Sequence, residues 1–185
     1  MVQPAKLSRE MILREAIALL QEGGLDMLTL RRLADRLGAR APSLARHVGD
    51  KGRLVSLVSS TIFLDALGEI PPGLTGDAWL IGYGRALRDK QRATRDVTAL
   101  VATAPGDAEM GEIVGTRLRG VLGQAGLGGE DAMREQAAIQ ALVTGWILFE
   151  MSPRAPRFSS RQARDAAFDE ALAALVAGFA ARRAN

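Results

Sequence analysis

The chemistry available to this chain is limited first by what it lacks: 185 residues contain one histidine, His47, and no cysteine. A thiolate nucleophile, a histidine-rich metal site and most zinc arrangements are thereby excluded. A Ser-His-Asp set would have to use His47, which lies in a cluster of arginines on a helix of three turns or fewer. Asp107, Glu109 and Glu112 have the proximity of an acid–base pair or a cation site, but carboxylates at a helix start ordinarily face water and complement the dipole. Gly123-Gln-Ala-Gly-Leu-Gly-Gly129 has the glycine content of a phosphate loop. No strand precedes it and no Lys-Ser/Thr follows, so an interhelical loop is expected. Neither an enzyme nor a bound cofactor or metal is expected.

The basic stretch Thr29–Lys51 is different, because charge and turn chemistry agree there. It carries six Lys/Arg and His47 against Asp35 and Asp50, around Gly38 and an Ala-Pro-Ser turn. Residues 1–60 hold ten Lys/Arg and six Asp/Glu, a net +4, while residues 61–185 are close to neutral at −1. That asymmetry points to an anionic partner for the first third alone.

The elements that must position this cluster are helical throughout, and an all-α fold is expected. Ser8 is placed to cap a first helix with Ile12, Ala16, Leu19 and Leu20 on one face, ended by Gly23-Gly24. Thr29 caps a second, shorter helix with Leu30, Leu33, Ala34 and Leu37 inward, stopped by Gly38. Pro42 suits the first position of a third helix, whose inner edge is Leu44, His47 and Val48. Asp50 caps a fourth, 51–69, broken by Ile70-Pro-Pro-Gly73. Further helices are expected over 75–94, 96–103, 107–124 and 130–151. Ser159-Ser-Arg-Gln162 reads as a capping box opening a last one to about 183. No segment combines period-two alternation with β-branched residues. The longest uncharged apolar run, Gln136–Phe149, is too short to span a bilayer, and Glu10, Arg14 and Glu15 interrupt any signal-like run, so a cytoplasmic protein is expected.

Two helices of about two turns joined by Gly38-Ala-Arg-Ala41 match the helix-turn-helix plan, in which the second helix enters the major groove by its N-terminal end. The candidate recognition helix, Pro42-Ser-Leu-Ala-Arg-His47, has small or polar outward residues. Arg31, Arg40, Arg46 and Lys51 surround it as phosphate or guanine partners. Residues 8–54, with Leu-Thr-x-Arg-x-Leu-Ala-x2-Leu-Gly-x3-Pro-Ser-Leu-x2-His-Val-x-Asp-Lys at their centre, resemble the DNA-binding domain of the tetracycline-repressor (TetR) family. The resemblance implies a homodimeric, ligand-released transcriptional regulator, usually a repressor. It divides the chain into a helix-turn-helix domain, 1–53, and a helical effector-binding and dimerisation domain, 54–185. By position, Arg31 would read a base, Ala41, Pro42, Ser43 and Arg46 would face the groove, and Thr29, His47 and Lys51 would contact phosphates. The family usually has an aromatic where this chain has Ala45, and often another at Arg46, so the operator sequence is expected to differ.

In the remainder, Phe63, Trp79, Tyr83, Leu87, Val101, Met110 and Val114 are candidate lining for a small-molecule pocket. Gly82 and Gly84 inside a helix hint at a kink or a close ligand approach. Ile139, Leu142, Val143, Trp146 and Phe149, with Phe168, Leu172, Leu175 and Phe179, form two apolar stripes that a single core could absorb. The resemblance favours their pairing across a twofold axis as a four-helix bundle. It also ties the founding members' drug–magnesium chelate to histidines in this region. There is none after His47, so tetracycline by that route is not expected and the effector stays unidentified. The helix 51–69 begins at Lys51 and contains Phe63, which makes it the expected lever between DNA and ligand. The alternative reading is a helical ligand-binding or interaction module without DNA activity.

Overall fold

A computed structural model describes residues 7–153, 158 and 160–184. Among these, nine α-helices and no strand occur: α1 Arg9–Gly23, α2 Leu30–Arg36, α3 Ala41–Val48, α4 Lys51–Gly68, α5 Gly76–Ala93, α6 Val97–Thr103, α7 Ala108–Gln124, α8 Gly129–Met151 and α9 Arg161–Arg183. A single 3-10 turn, Leu25–Met27, follows α1. No helix among the described residues is long and apolar enough to cross a membrane.

The helices belong to two compact units. The first takes the chain up to Phe63 and then Thr94–Ile113; the second takes Leu64–Ala93 and the chain from Val114 onward. The boundary expected at residue 53 therefore falls inside α4, whose first thirteen residues belong with the first unit. The stretch 94–113 joins that unit as well, which nothing local in the sequence announces.

In the first unit the expected caps form. Ser8 Oγ accepts from the Met11 amide at 3.2 Å, and Thr29 Oγ1 from that of Arg32 at 3.3 Å. Ile12, Ala16, Leu20, Leu33, Leu44, Val48, Leu54 and Leu57 are fully or almost fully buried, removing an apolar face of each of α1–α4 from water. Pro42 occupies the second position of α3, because Ala41 is already helical. Gly38 takes the left-handed conformation with φ 59° that lets α2 end and α3 depart.

Two ion-pair networks and a pair of backbone-directed hydrogen bonds tie this unit together. Arg36 on α2 reaches Glu15 and Glu22 on α1, both at 2.7 Å. Arg53 on α4 pairs with Asp107 at 3.0 Å and with Glu109, while Arg9 reaches Glu109 at 2.8 Å. The Met110 amide, together with Arg53, holds the Asp107 carboxyl below its ordinary range, and Arg9 does the same for Glu109. Asp107 caps α7, and both carboxylates clamp arginines; no acid–base arrangement forms between them. Asp96, the described non-glycine with positive φ (52°), accepts from the Leu25 amide at 2.9 Å. Arg95 next to it donates to the Glu22 carbonyl at 3.0 Å, so the pair straps the exit of α1 to the start of α6.

In the second unit α5, α8 and α9 pack together. A Cβ on Gly84 would lie 2.7 and 2.8 Å from the two Leu172 methyls and 3.2 Å from Ile139, and one on Gly82 would lie 2.7 Å from Leu74. The paired glycines thus permit close packing within the protein, and no kink or ligand approach is needed to explain them. Tyr83 is fully buried, stacks on Trp79 with centroids 5.6 Å apart, and accepts from Gln136 Nε2. Burial pushes its phenol pKa well up. Arg88 is buried beneath Phe168, 4.2 Å from the ring centroid, and its charge is met by Glu150 at 2.7 Å and Asp165 at 2.8 Å. α9 opens on Ser160, whose Oγ accepts from Ala163 at 3.0 Å; the Ser159 named for the capping box lies outside the described residues.

Candidate nucleic-acid interface

α3 turns Leu44 and Val48 into the first unit's core, and α2 contributes Leu33 and Ala34 beneath it. That packing fixes which α3 residues remain outside. Pro42, Arg46 and His47 are exposed, and Ala41, Ser43 and Ala45 are half-buried. His47, expected on the inner edge, is an outward residue, because Leu44 and Val48 already fill the space.

Apart from Arg32, which lies against Met27, the arginines in and beside the basic stretch sort into two classes. Arg36 and the neighbouring Arg53 are consumed by carboxylates within the unit. Arg31, Arg40, Arg46 and Lys51 are exposed, and none has a carboxylate partner among the described residues. Arg40 holds the N-cap position of α3 without a side-chain hydrogen bond, and Lys51 is the first residue of α4. Asp50 Oδ1 accepts from the Arg53 amide at 2.8 Å, so that carboxylate is turned to its own helix. Thr29 is half-buried; its oxygen accepts from Arg32, which leaves its proton free to donate. Two helix starts and a patch of uncompensated cations are thus presented to solvent, a surface suited to a phosphate backbone.

The residues expected in a ligand pocket do not gather within either unit. Phe63, Val101 and Met110 belong to the first unit, and Trp79, Tyr83, Leu87 and Val114 to the second. Trp79, Tyr83, Leu87 and Met110 are core residues, Phe63 and Val114 are half-buried, and Val101 is exposed. Within the second unit a cleft of about 580 Å³ is lined by Arg119, Leu122, Leu127, Ala132, Met133 and Arg134, among others, where α7 ends and α8 begins. Sequence periodicity did not single it out, since its walls come from two helix ends and a glycine loop.

The two apolar stripes are also corrected. Ile139, Val143, Phe168, Leu172 and Phe179 are buried inside the unit itself, together with Ile147 and Val176, which sequence reasoning missed. A spacing of 139, 143, 147 on α8 and of 168, 172, 176, 179 on α9 marks that inner face. Leu142, Trp146 and Leu175 are half-buried at its margin. The outward face of α8 carries Ala141, Gly145, Leu148 and Phe149, with Leu148 59% and Phe149 49% exposed. That of α9 is built of small residues: Ala173, Ala174, Ala177, Gly178 and Ala181.

No family model matches the chain. The tetracycline repressor protein class A from transposon 1721 of Escherichia coli is 31% identical to it, across 96% of this chain and 93% of that protein. An uncharacterised HTH-type transcriptional regulator of Mycobacterium tuberculosis is 29% identical across 97% of this chain and 85% of its own length. Among solved structures, class A TetR in complex with 5a,6-anhydrotetracycline and magnesium is similar with a TM-score of 0.66 and 27% identity, covering 94% of this chain and 98% of that one. The similarity extends through the helix-turn-helix and on across the helical remainder. On these grounds the chain belongs to the tetracycline-repressor (TetR) family of DNA-binding transcriptional regulators, which are not enzymes.

Proposed function

We propose that the protein is a homodimeric repressor that binds a near-palindromic operator and is released from it by a small-molecule effector. The carrying observation is the sorting of the arginines, with Arg36 and Arg53 neutralised by carboxylates and Arg31, Arg40 and Arg46 without a carboxylate partner among the described residues. In this reading Thr29, His47 and Lys51 hold phosphates, and α3 and Arg31 face base edges. Residues 1–53 carry the DNA contacts, and 54–185 the effector and dimer functions. The dimer seam uses the outward faces of α8 and α9, where a Cβ on Gly145 or Gly178 would meet nothing within 4 Å beyond its own helix and small side chains allow helices to approach.

The structure of the class A relative contains an anhydrotetracycline and magnesium. The only histidine here is His47 on α3, so a chelate held through histidines does not fit this chain's residues, and the effector is proposed only as a small molecule. The switch works through helices shared by both units: α4 passes from one to the other after Phe63, and α7 after Ile113. An effector loosens DNA only by preferring a conformation in which the two recognition helices are badly spaced, with a coupling of about 1–3 kcal/mol per site.

The test is binding of the whole protein to DNA upstream of its own gene at several salt concentrations, with footprinting. We expect a twofold-symmetric footprint, a dissociation constant of about 10 nM or tighter, and affinity that falls steeply with salt. A footprint without symmetry, or binding indifferent to salt, refutes the repressor reading and leaves a ligand-binding module. Linkage adds a second requirement: operator must weaken effector binding by the factor by which effector weakens operator binding.

A further inference from the structure

The side chains of α3 also limit which base edges it can read. From Ala41 to Val48 the helix contains no Asn, Gln, Asp or Glu. Asn and Gln are the side chains that pair bidentately with adenine, and Asp and Glu those that accept from the cytosine amino group. What remains outward is Arg46, His47, Ser43 and the apolar Ala41, Pro42 and Ala45. Of these, arginine matches the O6 and N7 acceptors of guanine with a planar fork, and small apolar groups suit the thymine methyl.

Geometry selects Arg46 for the guanine. It lies four residues after Pro42 and three after Ser43, so the three share a face. Its Nη2 donates to Ser43 Oγ at 3.3 Å, which lays the guanidinium back over the N-terminal turn of α3, the end that enters the groove in a helix-turn-helix. No carboxylate competes for it among the described residues, in contrast to Arg36 and Arg53. Its flanks, Ala45 and Ala41, are too short to hold the helix away from the bases.

We infer that each operator half-site presents one guanine to Arg46, flanked by thymine methyls against Ala41 or Ala45, and that α3 makes no bidentate adenine contact and accepts no cytosine amino group. This rests on the DNA-binding function of the protein and adds the base chemistry that the site selects.

The experiment is selection of the whole protein's preferred duplex from a randomised pool. Single guanines in one half-site are then replaced by 7-deazaguanine, and single thymines by uracil. At one guanine, changing the base should weaken binding roughly 5- to 150-fold, and removing N7 alone, one of the fork's two bonds, roughly 3- to 10-fold. Both penalties should vanish in Arg46→Ala, while Arg46→Lys, whose ammonium still donates to O6 or N7 without the planar fork, should keep only part of them. The lysine variant keeps the wild-type salt dependence, and both should melt nearly as the wild type does, since Arg46 is exposed and holds only a single surface hydrogen bond, to Ser43. At one or more flanking thymines, uracil should weaken binding measurably. If the position sensitive to Arg46 is an adenine or cytosine, or if the N7 penalty persists in Arg46→Ala, the inference is overturned while DNA binding stands. If it is Arg31→Ala that abolishes the guanine penalty, the reader is on α2 and the inference is again wrong. Absence of any selected sequence overturns both it and the function on which it rests.

Discussion

Gly84→Ala tests the packing of α5 against α8 and α9, because two opposed effects of known size meet at one methyl. In a helix interior alanine is favoured over glycine by about 1 kcal/mol. At position 84 the added carbon would sit 2.7 and 2.8 Å from the Leu172 methyls and 3.2 Å from Ile139, where ordinary carbon contacts are about 3.5–4.0 Å. Leu172 and Ile139 are both fully buried, so neither can swing into solvent. Overpacking of this kind costs about 1–3 kcal/mol, which leaves the variant between neutral and about 2 kcal/mol less stable. Gly120→Ala in α7 is the control: nothing lies within 4 Å of its Cβ position, so only the helix preference acts and stability should rise by about 0.5–1 kcal/mol. At about 2–4 °C per kcal/mol for a chain of this size, Gly84→Ala should melt roughly 2–12 °C below Gly120→Ala by far-UV circular dichroism at one protein concentration. Leu172→Ala alone should cost about 2–5 kcal/mol, and combined with Gly84→Ala less than the sum, because the new methyl enters the vacated space. Equal melting of the two glycine variants, with an additive double mutant, refutes the close approach of α5 and α9.

Leu148→Glu, on the outward face of α8, should give a folded monomer by sedimentation, because a carboxylate there is solvated in the monomer but unpaired and buried in the proposed seam. A dimer of unchanged affinity moves the seam elsewhere. Asp107 and Glu109 have folded-state pKa values below the ordinary carboxylate range, so the stability they confer is complete above that range and lost as pH falls through their lowered values. Asp107→Asn combined with Glu109→Gln should therefore flatten the loss of stability below about pH 4.5, and acid titrations that superimpose would show the clamp contributes nothing. Asp96→Ala leaves the Leu25 amide without its partner at a left-handed backbone, an expected loss of about 1–3 kcal/mol. Asp96→Gly relieves the backbone and should melt measurably higher than Asp96→Ala; identical melting would contradict the backbone argument.

What the sequence made legible was what depends on neighbours within a turn. Ser8 and Thr29 cap where a short polar side chain precedes an amphipathic run, and Gly38 ends α2 because only the chain's own next step requires a left-handed residue. The exposed basic patch followed from the same local periods. Partnerships across distance were not legible. Nothing near Arg53 announces Asp107, and nothing near Leu25 announces Asp96. The buried Arg88 reads as a surface residue until Glu150 and Asp165 are placed beside it. The dimer stripes went astray through angle. On α9 the buried series continues at Val176, one residue past the Leu175 that hydrophobicity alone nominated, and on α8 Ile147 replaces the exposed Phe149.

The discontinuity of the first unit has a bearing on synthesis. A ribosome releases α1–α3 early, but Arg9 and Arg53 find Glu109 and Asp107, and Leu25 finds Asp96, only after the intervening stretch Leu64–Ala93 has emerged. That stretch cannot settle in the meantime, since the partners of α5 are α8 and α9, later still in the chain. Closing a loop of its thirty residues carries an entropic cost of about 3 kcal/mol, which nascent local contacts alone must offset. The DNA-reading end is therefore completed part-way through translation, not first, and a fragment cut near residue 53 should behave as an arrested intermediate, whereas a first unit rebuilt with a short linker in place of 64–93 should fold without the rest.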